Sequence, residues 1–378
     1  MSILESLSSS SPHVIVQTTP GKGREFIAKE SLPSGTTLFH VYPYATAIFD
    51  SFKKRICARC VCVHPTRYFS THCHGCDQVY FCSQVCYEQY CPGRHTGQWI
   101  CSALRKLATL KKVDRHEKSV AKLVLLIYWQ REQEQQTIIN DNNDNTPFLS
   151  TFEQVEALES HYNDWDESVR HDWHRIQLFL ESQLVDKYTD TSDIAHLISK
   201  IESNGFGIYL SATSDDSVSS NKDKKHKSSS SSSNSNSGPV ARALFPLVSL
   251  FNHDCNNNCE AEQFAEQQQD LESELLLLLT EKEKEGSDDS SSCGNDDEIS
   301  HYYYYYPDVF SQTRGTFRTM VIRTIRHVNA GDPLTISYID SSLPVSTRRQ
   351  LLRQDYYFDC QCNRCIKELS SQKKKKKK

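Results

Sequence analysis

Four pairs of cysteine and histidine follow one another between residues 57 and 101: Cys57-x2-Cys60, Cys73-x2-Cys76, Cys82-x3-Cys86 and His95-x5-Cys101. Such spacing suits metal binding, because a tight turn aims two thiolates at one ion and zinc takes four ligands at tetrahedral corners. Eight ligands make two closed sites. So short a segment has little apolar core, and metal supplies its folding energy. A second signal, Cys360-x-Cys362-x2-Cys365, lies near the end of the chain. A third is LFPLVSLFNHDCNNNCE (244–260), where an apolar run ends abruptly in Asn252, His253, Asp254 and Cys255. A buried element that ends in Asn-His is costly unless those polar groups have partners.

The bulk numbers set the context. The chain has 378 residues, a formal net charge of −5 and fifteen cysteines. That balance gives no electrostatic footprint for nucleic acid. The apolar runs are too short to span a bilayer. MSILESLSSSSPHV has neither a basic start nor a long apolar core, so no secretory signal is expected. An intracellular location, cytoplasmic or nuclear, follows, and there the cysteines read as metal ligands or free thiols.

The elements that must position these residues can be placed coarsely. Residues 13–54 read as short strands with turns at PGKG and LPSG. Residues 55–101 are the cysteine-rich finger. Residues 102–200 are a helical insert, in which EKSVAKLVLLIYWQREQEQQTII, FEQVEALESHYNDW and WHRIQLFLESQL carry apolar faces. Residues 201–340 return to strands, interrupted by polar inserts at 211–238 and 261–301 that are expected to be disordered. Residues 341–367 carry the cysteine triplet, and 368–378 form a disordered lysine-rich tail.

The order of the finger ligands, with VYFCSQVCYEQY, resembles the MYND zinc finger. That resemblance implies interleaved sites: Cys57, Cys60, Cys82 and Cys86 on one zinc, and Cys73, Cys76, His95 and Cys101 on the other. The last pair departs from the usual H-x3-C, and Cys91 is an alternative ligand. Cys62 is unassigned, and His72 and His74 read as surface residues. Around the finger, four further signals occur in order: Gly21-Lys22-Gly23-Arg24, Asn204-Gly205-Phe206-Gly207, Asn252-His253-Asp254-Cys255, and GDPLTISY (331–338) followed by Phe358 and the cysteine triplet. Together they resemble the SET domain, and the whole resembles SET-MYND protein-lysine methyltransferases. The match is to short, fungal-like members without a C-terminal helical repeat domain.

The resemblance implies an α+β fold: a SET-domain β-clip with a pseudo-knot, an inserted zinc-binding MYND finger, a helical insert and a zinc-binding post-SET segment. It implies S-adenosyl-L-methionine and three zinc ions as cofactors, the third zinc on Cys255, Cys360, Cys362 and Cys365, with Cys259 as the alternative to Cys255. It places Gly21, Lys22, Gly23, Arg24, Asn204, Asn252, His253, Tyr338 and Phe358 around the cofactor, with Tyr338 catalytic and Tyr356 or Tyr357 walling a lysine channel. His196 and Pro333 depart from the family pattern. The partners implied are a protein lysine substrate and proline-containing peptides at the finger, for a monomer that binds neither nucleic acid nor membrane directly. The competing reading is an interaction scaffold with weak or no transferase activity. Loop insertions are cheap when their ends already lie close. Deleting about 212–237 is therefore expected to leave the melting temperature and cofactor binding unchanged; a large fall in melting temperature would show that the insert packs.

Overall fold

The computed structural model describes residues 12–64, 68–90, 98–140, 150–184, 192–209, 238–266 and 317–375. The chain divides into two compact units: Met1–Ala47, Asp114–Gln263 and Met320–Lys378 form one, and Ile48–Val113 and Phe264–Thr319 the other. The stretch read as a finger, 55–101, falls within the second.

In the first unit the PGKG turn joins β1 (Val14–Thr19) to β2 (Gly23–Ala28) as an antiparallel hairpin, closed at Thr19↔Gly23. Gly21 and Gly23 have φ of +75° and +71°, where a side chain is strained, which is why this turn is written with glycine. β3 (Thr37–Val41) and β4 (Ala45–Ile48) then enter two different sheets. The first has the order β10 (Cys259–Glu266), β11 (Phe317–Thr324), β3; the second has β4, β8 (Ala241–Leu244), β7 (Gly205–Ile208). A parallel pair of two residues each joins β9 (Asn252–His253) to β12 (Thr335–Ile336). Many small sheets and few long strands make the α+β architecture expected from the sequence.

In the second unit, β5 (Thr71–His72) pairs with β6 (Tyr80–Phe81), followed by α1 (Gln84–Tyr90) and α2 (Trp99–Thr109). The helical insert of the first unit holds α3 (Arg115–Asn140), α4 (Phe152–Glu156), α5 (Glu167–Leu184) and α6 (Ser192–Asn204). Every residue from Val120 to Trp129 is buried, so α3 is a central helix covered on all sides. No described helix is long and apolar enough to cross a membrane. The chain ends in α7 (Val345–Tyr356) and α8 (Asn363–Lys375).

Three expectations need correction. The second polar insert does not begin at 261, because Ala261–Glu266 complete strand β10; Gln263 holds it there, accepting from Tyr209 N–H at 3.0 Å and donating to the Gly207 carbonyl. The tail is not disordered from 368, because α8 runs on to Lys375; Glu368 and Leu369 tie its first turns down. FEQVEALESHYNDW is not one helix. A capping box on Thr151 and Gln154 starts α4, which stops at Glu156, and the carbonyls beyond are taken by side chains. The rest of insert 261–301 and all of 211–238 except Gly238 lie outside the described residues.

The apolar run before Asn252 fills the core. Phe251 is fully buried with its ring 4.8 Å from Phe26 and 6.0 Å from Phe39. The run of asparagines after Cys255 also has work. Asn256 receives Arg326, Asn257 donates to the Cys259 carbonyl at 2.8 Å, and Asn258 pins the GDPLT segment. Asn258 accepts the Thr335 N–H and donates to the Pro333 carbonyl, both at 2.8 Å, while only 8% exposed. Replacing it strands both backbone groups in the interior. Asn258→Ala is expected to lower the unfolding free energy by about 2–3 kcal/mol in denaturant titration, against roughly 0.5 kcal/mol for exposed Asn256→Ala. Equal effects would show that the Asn258 bonds carry no weight.

Candidate functional site

Three thiol clusters form among the described residues. Cys57, Cys60, Cys82 and Cys86 make one, Cys73, Cys76 and Cys101 a second, and Cys255, Cys360, Cys362 and Cys365 a third; within each, the sulfurs lie within 4.8 Å of one another. His95 and Cys91, the two candidates for the fourth ligand of the second cluster, lie outside the described residues. The sulfur separations test whether the clusters are disulfides or metal sites. Cys60–Cys82 is 3.6 Å, Cys82–Cys86 3.4 Å, Cys73–Cys101 3.8 Å, Cys255–Cys365 3.5 Å and Cys255–Cys360 4.0 Å. A disulfide needs about 2.05 Å, whereas four sulfurs around zinc at 2.3 Å stand about 3.8 Å apart. The clusters therefore fit zinc.

The two Cys-x2-Cys turns of the finger share one backbone device. After each pair the chain turns left-handed, at Val61 (φ +59°) and Asp77 (φ +55°), and that residue's N–H returns to the first cysteine's carbonyl, at 3.0 Å for Cys57 and 2.9 Å for Cys73. Thiols packed this closely cannot all ionise side by side without a cation. Cys57 draws the Cys82 thiol down to about 4 while pushing Cys60 up. In the third cluster Cys360 draws Cys255 down to about 3 and is itself pushed up. Cys62 packs beside the first cluster. Cys259 stays apart, its thiol pushed up to about 12 by burial.

Cys255 leads directly to the Asn252-His253 pair, because it lies two residues beyond His253. His253 Nε2 is 3.3 Å from the Cys255 sulfur, and its Nδ1 accepts the Tyr338 N–H at 3.0 Å. Asn252 faces the hairpin turn, donating to the carbonyls of Lys22 (3.2 Å) and Arg24 (3.4 Å). The parallel β9–β12 pair holds GDPLTISY against Asn252-His253, and β2 extends the contact: Leu334 N–H donates to the Phe26 carbonyl at 2.8 Å. Three stretches far apart in sequence, 230 residues between Lys22 and Asn252 and 85 between His253 and Tyr338, thus meet at one place.

Aromatic rings form the wall. Tyr338 lies with its centroid 4.9 Å from Tyr356, 5.4 Å from His253 and 6.4 Å from Phe358. Its hydroxyl donates to the Phe251 carbonyl at 2.8 Å, and burial pushes its pKa above the ordinary phenol value, so it stays neutral. Tyr357 caps α7 at φ +60°, strained for a bulky residue. Its ring stacks on His161 at 4.8 Å, whereas the next residue, Phe358, lies 6.0 Å from His253.

Two residues expected around the cofactor are engaged otherwise. Arg24 donates to the Ala157 carbonyl, and Asn204 Nδ2 donates to the carbonyls of Lys200 (2.9 Å) and Glu159 (3.3 Å). Lys200 holds the Glu156 carbonyl at 2.6 Å, and burial lowers its pKa. These side chains cap the backbone beyond α4. Gly205 is fixed by crowding: a Cβ there would sit 2.6 Å from the Ile201 carbonyl oxygen. Arg348, buried against the third cluster, carried no sequence signal, being one of three arginines in RRQLLRQ.

No family model matches the sequence. Individual relatives do. The N-lysine methyltransferase SMYD2-A of Xenopus laevis is 23% identical over 356 residues, covering 92% of this chain and 59% of the relative. The histone-lysine N-methyltransferase ASHR1 of Arabidopsis thaliana is 21% identical over 93% of this chain and 54% of its own length. A SET and MYND domain-containing protein of Dictyostelium discoideum is 30% identical over 148 residues, 38% of this chain and 27% of the relative. The chain is similar to named SET-MYND lysine methyltransferases over most of its length, at low identity. It spans only 54–59% of the lengths of the frog and plant relatives. Among solved structures, the SET domain of LSMT bound to lysine and AdoHcy covers 94% of this chain and 57% of that one, at 10% identity and a TM-score of 0.35; a score that low adds nothing to the SET-MYND relationship. Elemental analysis is expected to return about three zinc ions per chain, one for each cluster, with Cys60→Ser and Cys255→Ser each losing one. One ion or none in the unaltered protein would contradict the clusters.

Proposed function

We propose that this chain is an S-adenosylmethionine-dependent protein-lysine N-methyltransferase. The observation that carries the reading is the meeting of the Gly21–Arg24 turn, Asn252-His253 and Tyr338 beside a cluster of four thiols that fits a metal ion, in a chain similar to enzymes with that activity. Gly21, Lys22, Gly23, Asn252, His253 and Phe358 hold the cofactor, with Arg24 and Asn204 supporting its walls through the backbone they cap. The cofactor supplies an electrophilic methyl group on a sulfonium. In the finger, His95 completes the Cys73, Cys76 and Cys101 site, and proline-containing peptides dock on that unit.

The work left to the protein is alignment and proton control. A free lysine amine has a pKa near 10.4 and attacks only when neutral. An aromatic channel lowers that value by excluding water, and its ring faces hold the methylated ammonium that forms. Tyr338 donates its O–H hydrogen bond to the Phe251 carbonyl, which leaves its oxygen lone pairs to accept from the incoming amine and orient it. His253 fixes the Tyr338 backbone.

Tyr338→Phe removes one hydroxyl and keeps the ring. Cofactor affinity is expected to hold while turnover falls about tenfold or more, at least about 1.4 kcal/mol of transition-state stabilisation. Asn252→Ala frees the hairpin turn and is expected to weaken cofactor binding itself. Both are read by calorimetry with S-adenosylmethionine and by methyl transfer to lysine-containing protein extract. Full turnover in Tyr338→Phe would remove Tyr338 from the mechanism; wild-type protein that binds cofactor yet methylates nothing would favour the scaffold.

A further inference from the structure

The third cluster has a chemical problem that its four cysteines cannot solve. Four thiolates on one divalent ion leave two net negative charges, and here three of the sulfurs belong to residues no more than 4% exposed. Buried charge without compensation is costly. Arg348 lies against this cluster and is 1% exposed. Its Nε donates to the Cys255 sulfur at 3.3 Å and its Nη2 to the Cys365 sulfur at 3.6 Å. Nη2 also meets Glu368 at 2.9 Å, and Nη1 donates to the Leu343 carbonyl at 2.6 Å. Glu368 in turn holds Arg364 at 2.8 Å, and Arg364 donates to the Cys255 carbonyl at 2.9 Å.

We propose that Arg348 is a positioning residue: its guanidinium is the counter-charge that lets the third cluster hold metal, and through Glu368 it latches α7 to α8. Simple packing does not account for the arrangement. A buried arginine that merely filled space would have no need to place two of its nitrogens on sulfurs of different chain segments, Cys255 and Cys365. The latch reaches the pocket through Cys255, whose sulfur touches His253, the acceptor of the Tyr338 N–H. Outer groups that bond metal ligands commonly govern affinity by about 10–100-fold.

The test separates charge from volume. Zinc transfer from native full-length protein to a chelating dye is followed for wild type, Arg348→Met, Arg348→Lys and Glu368→Gln. Arg348→Met keeps much of the apolar bulk and is expected to release one of the three ions about tenfold faster or more, the other two leaving as in wild type. Arg348→Lys keeps the charge without the fork and is expected to fall between. Glu368 is partly exposed, so Glu368→Gln is the variant that threatens folding least; about a threefold faster release of the same ion is expected. Cobalt substitution reports the same site independently, through a weakened thiolate-to-metal charge-transfer band in Arg348→Met. Unchanged release in Arg348→Met, or equal rates in Arg348→Met and Arg348→Lys, would overturn the counter-charge; unchanged release in Glu368→Gln would overturn the latch. The link to the pocket rests on the transferase reading and is read separately, as weaker S-adenosylmethionine binding in Arg348→Met. Absence of cofactor binding in wild type would sink the transferase reading, while the release rates would still decide Arg348.

Discussion

Cys255 stands in a loop beside the core, and its partners stand more than a hundred residues later, in the final segment of the chain. Bringing those sulfurs to between 3.5 and 4.0 Å is the constraint on which the pocket depends. It fixes the end of the chain against the residue pair Asn252-His253, and so sets Phe358 and Tyr356 around Tyr338. Without a cation the thiols would divide protons among themselves and repel one another as they ionised. With one, the ion would join the Val345, Leu352, Cys360 and Cys365 cluster in holding the C-terminal segment in place.

The same logic runs through the backbone nearby. Two-residue strands contribute little by themselves. The β9–β12 pair persists because its flanks are held elsewhere: Phe251 in the aromatic core, Asn258 on the backbone of GDPLT, and Asn252 on the hairpin turn. Strain is stored at Tyr357, whose left-handed backbone sends consecutive aromatic rings onto His161 and toward His253. Sites that must hold a substrate and exclude water often keep such strain.

Much of this was legible in the sequence. The ligand pairs could be read from spacing because a Cys-x2-Cys turn is local, while their grouping into clusters came from the resemblance to the SET-MYND proteins; the glycine turn could be read because positive φ selects glycine. What could not be read depends on contacts between distant segments. Arg348 is one of three arginines on α7, and only the fold shows which of them turns inward. Each amide of Asn256-Asn257-Asn258 has a partner: Arg326 just beyond β11, Cys259 in β10, and the backbone of the GDPLT segment. The polar stretch from 261 looked like an insert because Glu and Gln dominate it, while Gln263 uses its amide to stay in the sheet. Arg24 and Asn204, which the resemblance places around the cofactor, donate to the carbonyls of Ala157, Glu159 and Lys200, contacts that the sequence did not reveal.

The central claim is that the third metal cluster completes a cofactor pocket. The most direct measurement is calorimetric titration of S-adenosylmethionine into zinc-loaded wild type and into Cys362→Ser, which alters that cluster and leaves the finger its metals. The account predicts micromolar binding to wild type and a loss of at least about tenfold, or about 1.4 kcal/mol, in Cys362→Ser. Undiminished binding in Cys362→Ser, or no binding to the zinc-loaded wild type, would contradict it.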